Sequence, residues 1–433
     1  MSKEFDVVII GGGVIGTSLL YILSNYTNVK NIAIIEKYNG FGLVNSNKKM
    51  NSQTLHFGDI ETNYSLEKAK KVNEGASMVA RYLDKYDKKF NIHKRYSKMV
   101  LAVGEKEVKE LSERYENFKK LFPSMKKIDR EEIGKLEPKV VEGRDLNEEL
   151  LALYSKEGYT VDFGKLSESF VTKSKANIML NTEVRYLAKE DNKYKIYTNK
   201  NEIYSKVVIF ATGGHSLMFA KSLGYGLDFA ILPVVGNFYY SHKVLNGKVY
   251  TMQIPKLPFA AIHGDPEVDS DSMTRFGPTA KVIPVLERRN VKTFIDFLVT
   301  LGFSLRGFLA LFKVISDTTI LKFVLRNFSY DLPFVGKSIF MHNIRKIIPS
   351  MKTKDVHFAK GYGGLRPQII DKKSMSLNLG EAKVFGENII FNVTPSPGAS
   401  VCLQSSFEDA KKIITFLGSK YKLNEKRFVK DFS

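Results

Sequence analysis

The chain has 433 residues, 43% of them hydrophobic, enough for a sizeable core and, on length alone, for two domains. Its one cysteine, Cys402, excludes an internal disulfide framework, and seven scattered histidines offer no metal-ligand spacing, so no metal is expected. Lys and Arg total 66 against 46 Asp and Glu, a formal +20 that suits an anionic membrane surface, an acidic substrate or nucleic acid; the basic residues are dispersed without a nucleic-acid signature, so no nucleic acid partner is expected.

The start runs from "MSKEF" into "DVVIIGGG" with no basic region before an apolar stretch, which reads as a protein that is not exported. Residues 5–10 form a Val/Ile-rich run, the pattern of a buried parallel strand. Gly11, Gly13 and Gly16 follow at G-x-G-x-x-G spacing, then "TSLLYILSNY" with helical periodicity, then "NIAIIE" ending in Glu36. Strand, glycine turn, helix and a carboxylate twenty positions on make a specific dinucleotide signature. Gly11 permits the tight turn, Gly13 lets backbone approach a pyrophosphate, and Gly16 lets the helix close on the strand. Val14, Ile15 and Lys37 belong to the same contact set, and Glu36 would accept hydrogen bonds from the adenosine ribose.

"MNSQTLHFGDIETNY", residues 50–64, is dense in small polar groups around an aromatic pair. Ser52, Gln53 and Thr54 can hydrogen-bond a heteroaromatic ring edge, and Gly58 allows close backbone approach. His56 could contact a flavin, act as a catalytic group, or have an ordinary structural partner. Helix formers then dominate residues 65–155. Paired strand-like stretches, "NIMLNTEVRYLAKE" and "KYKIYTNKNEI", precede "SKVVIFATGGHS". A strand closing in an "ATGG" turn resembles the way FAD-binding oxidoreductases complete their nucleotide site, which implies FAD, with Thr212 and Gly213 beside it. No second G-x-G-x-x-G offers a separate nicotinamide site.

Further on, "ILPVVGNFYYS" and the residues after it read as strands, with His263 at the end of one of them and Arg275 in "TRFGPTA". The stretch 294–328 mixes Phe, Leu and Ile with Asp296, Arg306, Lys313 and Lys322, so no run reaches the roughly eighteen uninterrupted residues of a spanning helix. It fits amphipathic helices lying in a membrane interface and equally core helices. In "HFAKGYGGLRPQIID", glycines at 361, 363 and 364 remove side chains just before Arg366 and Pro367 stiffens the exit. A fixed Arg suits planar recognition of an oxyanion; a turn in a surface hairpin is the alternative. Finally "FNVTPSPGAS" leads a strand through a turn into an amphipathic helix starting near Ala399. That helix N-terminus could stabilise negative charge on a flavin ring edge, with Gly398, Ala399 and Ser400 as contacts.

"NSQTLHFGDIETNY", "GYGGLRPQIID" and "NVTPSPGAS" together resemble the malate:quinone oxidoreductase family and, more distantly, glycine oxidase, D-amino-acid oxidase and L-2-hydroxyglutarate dehydrogenase, from residue 5 to about 415. The resemblance implies an α/β fold with an α+β cap, glycine oxidase-like: a Rossmann-like FAD-binding domain (1–64, 155–225, 350–433) and an interleaved antiparallel-sheet substrate domain (65–154, 226–349), in which 290–348 is a helical insertion that could face a membrane. It implies oxidation of a 2-hydroxy acid, (S)-malate first, with electrons passed to quinone; L-2-hydroxyglutarate, L-lactate or an amino acid are the alternatives, and the basic surface leaves a flavin-dependent nucleic-acid-binding protein as a remote one. Arg366 would hold the substrate carboxylate beside the flavin, with Gly364 at the ring. Gln53 and Arg275 are further substrate contacts, the latter for a second carboxylate or else in an ion pair with "DPEVDSD". His263 is the first candidate for catalytic base and His56 the second. The expected location is cytoplasmic, peripheral on the inner face of the cytoplasmic membrane. "IPKLPFAAIHGDP" departs from the "VPHLD"-type stretch of longer family members, which keeps the other acids open.

Overall fold

The computed structural model describes residues 3–253, 262–302, 305–378, 382–393 and 397–432; most of the departing stretch "IPKLPFAAIHGDP", residues 254–261, lies outside them. Three sheets organise the described residues. In the first, the strand Lys3–Ile10 lies parallel between Ile32–Ile35 and Glu202–Phe210, in register Ile10 with Ile35 and with Phe210. Val7 to Ile10 are buried with helices on both faces, which is why the run is continuously apolar rather than alternating. Asn177–Met179 extends this sheet beyond Ile32–Ile35, and Ile389–Val393 lies parallel to Glu202–Phe210 on the other side. These five strands therefore point their carboxyl ends to one edge, the crevice where open parallel sheets bind ligands. The helix Val14–Tyr26 leaves that edge and buries Leu19, Leu20, Leu23 and Tyr26 against it.

A second sheet pairs Phe229–Val235 with Leu365–Asp371, Val234 facing Arg366. The third is an eight-stranded cap built on Leu150–Val161, His93–Val103, Lys248–Thr251, His263–Glu267 and Ser270–Gly277. The stretch 65–155 is thus not wholly helical: the helices Leu66–Tyr86 and Glu105–Phe118 flank the strand His93–Val103. The strand Leu150–Val161, which spans residue 155, lies in the cap sheet, and Leu365–Asp371 lies outside the nucleotide sheet.

The described residues between 291 and 347 include the helices Phe294–Leu301, Leu305–Ser316, Thr318–Ser329 and Gly336–Ile347. Phe297, Ala310, Val314, Ile320 and Val324 join the core beside Ile231 and Ile369. Leu305, Phe308, Leu309, Phe312, Leu325 and Phe328 point outward instead. Among the described residues no single helix is long and apolar enough to cross a membrane.

Candidate active site

A cavity of about 680 Å³ opens at the carboxyl edge of the parallel sheet. Its floor is the glycine turn. Gly11 adopts φ +110, and a Cβ there would lie 2.5 Å from the Ala211 carbonyl oxygen. At Gly16 a Cβ would sit 2.0 Å from the Gly11 carbonyl oxygen, so helix and turn touch backbone to backbone. Gly16 thus acts from behind the wall, whereas Gly11, Gly13, Val14 and Ile15 line it. The Val14 N–H donates to Ser46 Oγ at 3.0 Å, fastening the helix start to the next loop.

At one end Glu36 accepts from the N–H groups of Gly12 (2.7 Å) and Tyr38 (2.9 Å), which holds the carboxylate at the wall. Lys37 also lines the cavity but is committed: its Nζ lies 2.5 Å from Glu287, which accepts from Tyr38 Oη as well. Burial opposes the charge on Glu287, yet Lys37 and Tyr38 hold its carboxyl below the ordinary range. Thr212 and Gly213 complete this side, Thr212 bonded through its N–H and hydroxyl to Ser216 Oγ. Such a wall can hold a dinucleotide, with phosphates at the helix start and a ribose at Glu36. No cluster of metal-ligating side chains occurs among the described residues.

The other end gathers Ser52, Thr54, His56, Arg366, Gly398, Ala399 and Ser400. The helix expected from Ala399 begins at Cys402, and residues 398–401 form the turn before it. Ser400 Oγ accepts the His56 N–H at 2.9 Å, joining residues 344 positions apart. The His56 ring puts Nδ1 2.6 Å from Glu61 Oε1. Arg366 is half-buried at the wall, and burial pulls its guanidinium down to about 10. Among the described residues nothing hydrogen-bonds or ion-pairs with it. The buried cations of the cap do have acidic partners: Lys98 with Asp59 (2.7 Å), Lys248 with Asp265 (3.7 Å), Arg275 with Glu267 (3.8 Å). A cation left unpaired at a cavity wall is a receptor for an anionic ligand.

Four candidates lie elsewhere. His263 is buried in the cap sheet, stacked on the Tyr250 ring at 4.5 Å with Nε2 2.9 Å from Asp265 Oδ2; burial keeps its pKa low despite that carboxylate. Tyr250 in turn bonds Thr54 Oγ1 at 2.7 Å, so His263 sits one layer behind the wall. Arg275 donates to the carbonyls of Asn51 (3.2 Å) and Ser52 (2.9 Å), bracing the loop from below. Gln53 is buried with its amide on Glu267 at 2.6 Å, while its Oε1 accepts the Val268 N–H. A Cβ on Gly364 would meet the Met50 carbonyl at 2.3 Å, so this glycine packs on the loop. At Gly363, φ is +98 and a Cβ would fall 1.8 Å from the Gly236 carbonyl oxygen; Arg288 fills the same corner, bonded to the carbonyls of Gly236 and Tyr362. Gly363 and Gly364 therefore admit backbone and Arg288, a Cβ at Gly361 would meet nothing within 4 Å, and Arg366 is fixed by its strand.

Glu61, Ser46, Glu287 and Arg288 were not visible as site residues in the sequence. Only Glu61, five positions after a histidine in "HFGDIE", gave a local signal.

The family model described as malate:quinone oxidoreductase matches residues 3–416. The chain belongs to the malate:quinone oxidoreductase family. A probable malate:quinone oxidoreductase of Campylobacter jejuni is 44% identical, over 98% of this chain and 98% of that one. The malate:quinone oxidoreductase of Helicobacter pylori is 41% identical over 100% and 99%. A bovine mitochondrial L-2-hydroxyglutarate dehydrogenase is 25% identical over 94% and 88%. Among solved structures, an FAD-bound L-α-glycerophosphate oxidase from Mycoplasma pneumoniae superposes with TM-score 0.66 at 18% identity, covering 97% and 96%. Glycine oxidase from Geobacillus kaustophilus gives 0.66 at 15%, covering 95% of each. This family member thus has the glycine oxidase-like fold.

Proposed function

We propose that this chain binds FAD in the cavity, oxidises (S)-malate to oxaloacetate there and passes the electrons to a membrane quinone. The observation that carries the site is the unpaired Arg366 guanidinium on the same wall as His56 and the dinucleotide loop. When bound, FAD supplies the acceptor for the hydride leaving C2 and later returns two electrons to quinone. Arg366 grips the C1 carboxylate through its planar fork and fixes C2 in place. His56, whose Nδ1 is taken by Glu61, receives the hydroxyl proton on Nε2 as the ketone forms. Thr54 and Ser52 offer hydroxyl groups at the same end, and Ser400 ties the His56 backbone to the ring-side turn. The 25% identity to L-2-hydroxyglutarate dehydrogenase favours that acid as the second reading. Anaerobic titration of the purified flavoprotein with (S)-malate, L-lactate and L-2-hydroxyglutarate separates them. Malate should bleach the flavin at the lowest concentration; bleaching by L-2-hydroxyglutarate alone would replace the substrate.

Gly16→Ala should weaken FAD binding at least about tenfold, because a Cβ 2.0 Å from the Gly11 carbonyl must push the helix start off the turn. Equal flavin retention by variant and wild type on titration of the apoprotein would remove this turn from the cofactor site.

The helices from Phe294 to Ser329 are proposed to rest on an anionic bilayer, since quinone dissolves in lipid. Leu305 and Phe312 are 76% and 71% exposed, and Arg306, Lys313, Lys322 and Arg326 stand among such apolar groups with side chains in solvent. Apolar contact and charge then act together on the same face. Burying one such side chain contributes about 1.5–3 kcal/mol, so Leu305→Asp and Phe312→Asp should each weaken sedimentation with phosphatidylglycerol vesicles about tenfold or more. Equal sedimentation of wild type and both variants would move the contact to another face.

A further inference from the structure

The loop that carries His56 has no helix or strand between Asn51 and Tyr64 apart from one bridge, Thr54 to Thr160. A proton acceptor on irregular backbone needs its geometry imposed from outside. Arg114, on the cap helix Glu105–Phe118, imposes it. Its Nη2 donates to the carbonyls of Glu61 (2.7 Å) and Gly58 (3.4 Å), and its Nη1 to those of Tyr64 (3.1 Å) and Thr62 (3.3 Å). The guanidinium lies 3.7 Å from the Phe118 ring centroid, which fixes the fork in plane. One side chain thereby gathers four carbonyls of the loop's second half into a single shape.

What this arrangement leaves over is informative. Arg114 gives its hydrogen bonds to carbonyls, and Lys98, whose charge also acts on Glu61, gives its Nζ to Asp59. The Glu61 carboxylate is buried, and its Oε2 has no hydrogen-bond partner among the described residues. Burial works against its charge, but the bond from His56 and the charge of Lys98 keep the carboxyl below the ordinary range. A buried carboxylate hydrogen-bonded by a single side chain is a costly way to fill space; a glutamine or leucine would do that better. An ionised carboxylate only accepts hydrogen bonds, so it requires the proton of His56 on Nδ1 and leaves the Nε2 lone pair for the cavity.

We propose that Glu61 is a positioning residue that sets the tautomer and ring orientation of His56, and that Arg114 holds Glu61 at that distance by shaping the loop. The inference rests on the reading of His56 as proton acceptor. Anaerobic stopped-flow reduction of the FAD-loaded protein by (S)-malate tests both. Glu61→Gln keeps the shape but can place an amide N–H against Nδ1, turning the protonated nitrogen toward the substrate. Its limiting rate of flavin reduction should fall about 100-fold, with the malate dependence and the flavin spectrum unchanged. Glu61→Asp, which keeps the acceptor, should recover part of the rate. The Glu61→Gln/His56→Ala double variant should be no slower than His56→Ala alone, because the two groups act as a unit. A slow His56→Ala beside a normal Glu61→Gln overturns the role of Glu61 and spares that of His56. A normal His56→Ala overturns both. Should Glu61→Gln lose FAD or fail to fold, Arg114→Lys reads the same device: a single ammonium cannot bridge four carbonyls, and the limiting rate should fall about tenfold. An unchanged rate in that variant overturns the clamp.

Discussion

His56→Ala is expected to slow reduction of the bound flavin by (S)-malate about 1,000-fold while malate still binds, the effect of removing a well-placed general base. The expectation comes from placement: His56 is on the cavity wall, fastened by Ser400 to the turn that follows Ile389–Val393 and by Glu61 through its ring. His263→Ala is the control that discriminates. His263 stacks behind Tyr250 and is engaged with Asp265, so its loss should act only through repacking under Thr54 and slow the same step less than about tenfold. Single-turnover rates of the two variants settle the assignment. A fast His56→Ala with a slow His263→Ala would return the base to the cap sheet.

Arg366→Ala carries the second large effect. Removing one partner of a partly desolvated charged pair costs about 2–5 kcal/mol, so kcat/KM for malate should fall by about 30-fold to several thousand-fold. Most of the loss should appear in KM, with FAD content unchanged, because the guanidinium bonds no described residue and holds nothing else together. Lys at this position keeps the charge but loses the fork, and should recover only a minor share of the activity. Steady-state kinetics with a soluble quinone analogue would show it; wild-type KM in Arg366→Ala would end the carboxylate assignment.

Whether a feature could be read from the sequence followed the distance over which it is decided. The strand, glycine turn, helix and Glu36 lie within 36 residues, and their spacing alone dictates the turn, so the dinucleotide end was legible. The amphipathic helices after Phe294 were legible for the same reason. His263 and Arg275 stand off the cavity wall, a placement the sequence could not show because a polar residue on a strand reads alike whether it faces a ligand or a partner such as Asp265 or a Ser52 carbonyl; Glu267 of the run "DPEVDSD" does lie beside Arg275. The glycines before Arg366 were read as clearing space for that side chain. At Gly363 the space is taken by the Gly236 backbone and Arg288, contacts that pairing of Phe229–Val235 with Leu365–Asp371 brings together across more than 70 residues. Arg114 gave no sign, since its four carbonyl partners belong to another segment.

The bond between His56 and Ser400 has a consequence for biosynthesis. A nascent chain emerging from the ribosome can build the glycine turn and Glu36 early, yet Arg366, the strand Ile389–Val393 and Ser400 are the products of late translation. Non-local closure of this kind is slow and leaves apolar edges open meanwhile. Capture of the flavin should therefore follow synthesis of both halves of the pocket, whose joined residues His56 and Ser400 lie 344 positions apart in the chain.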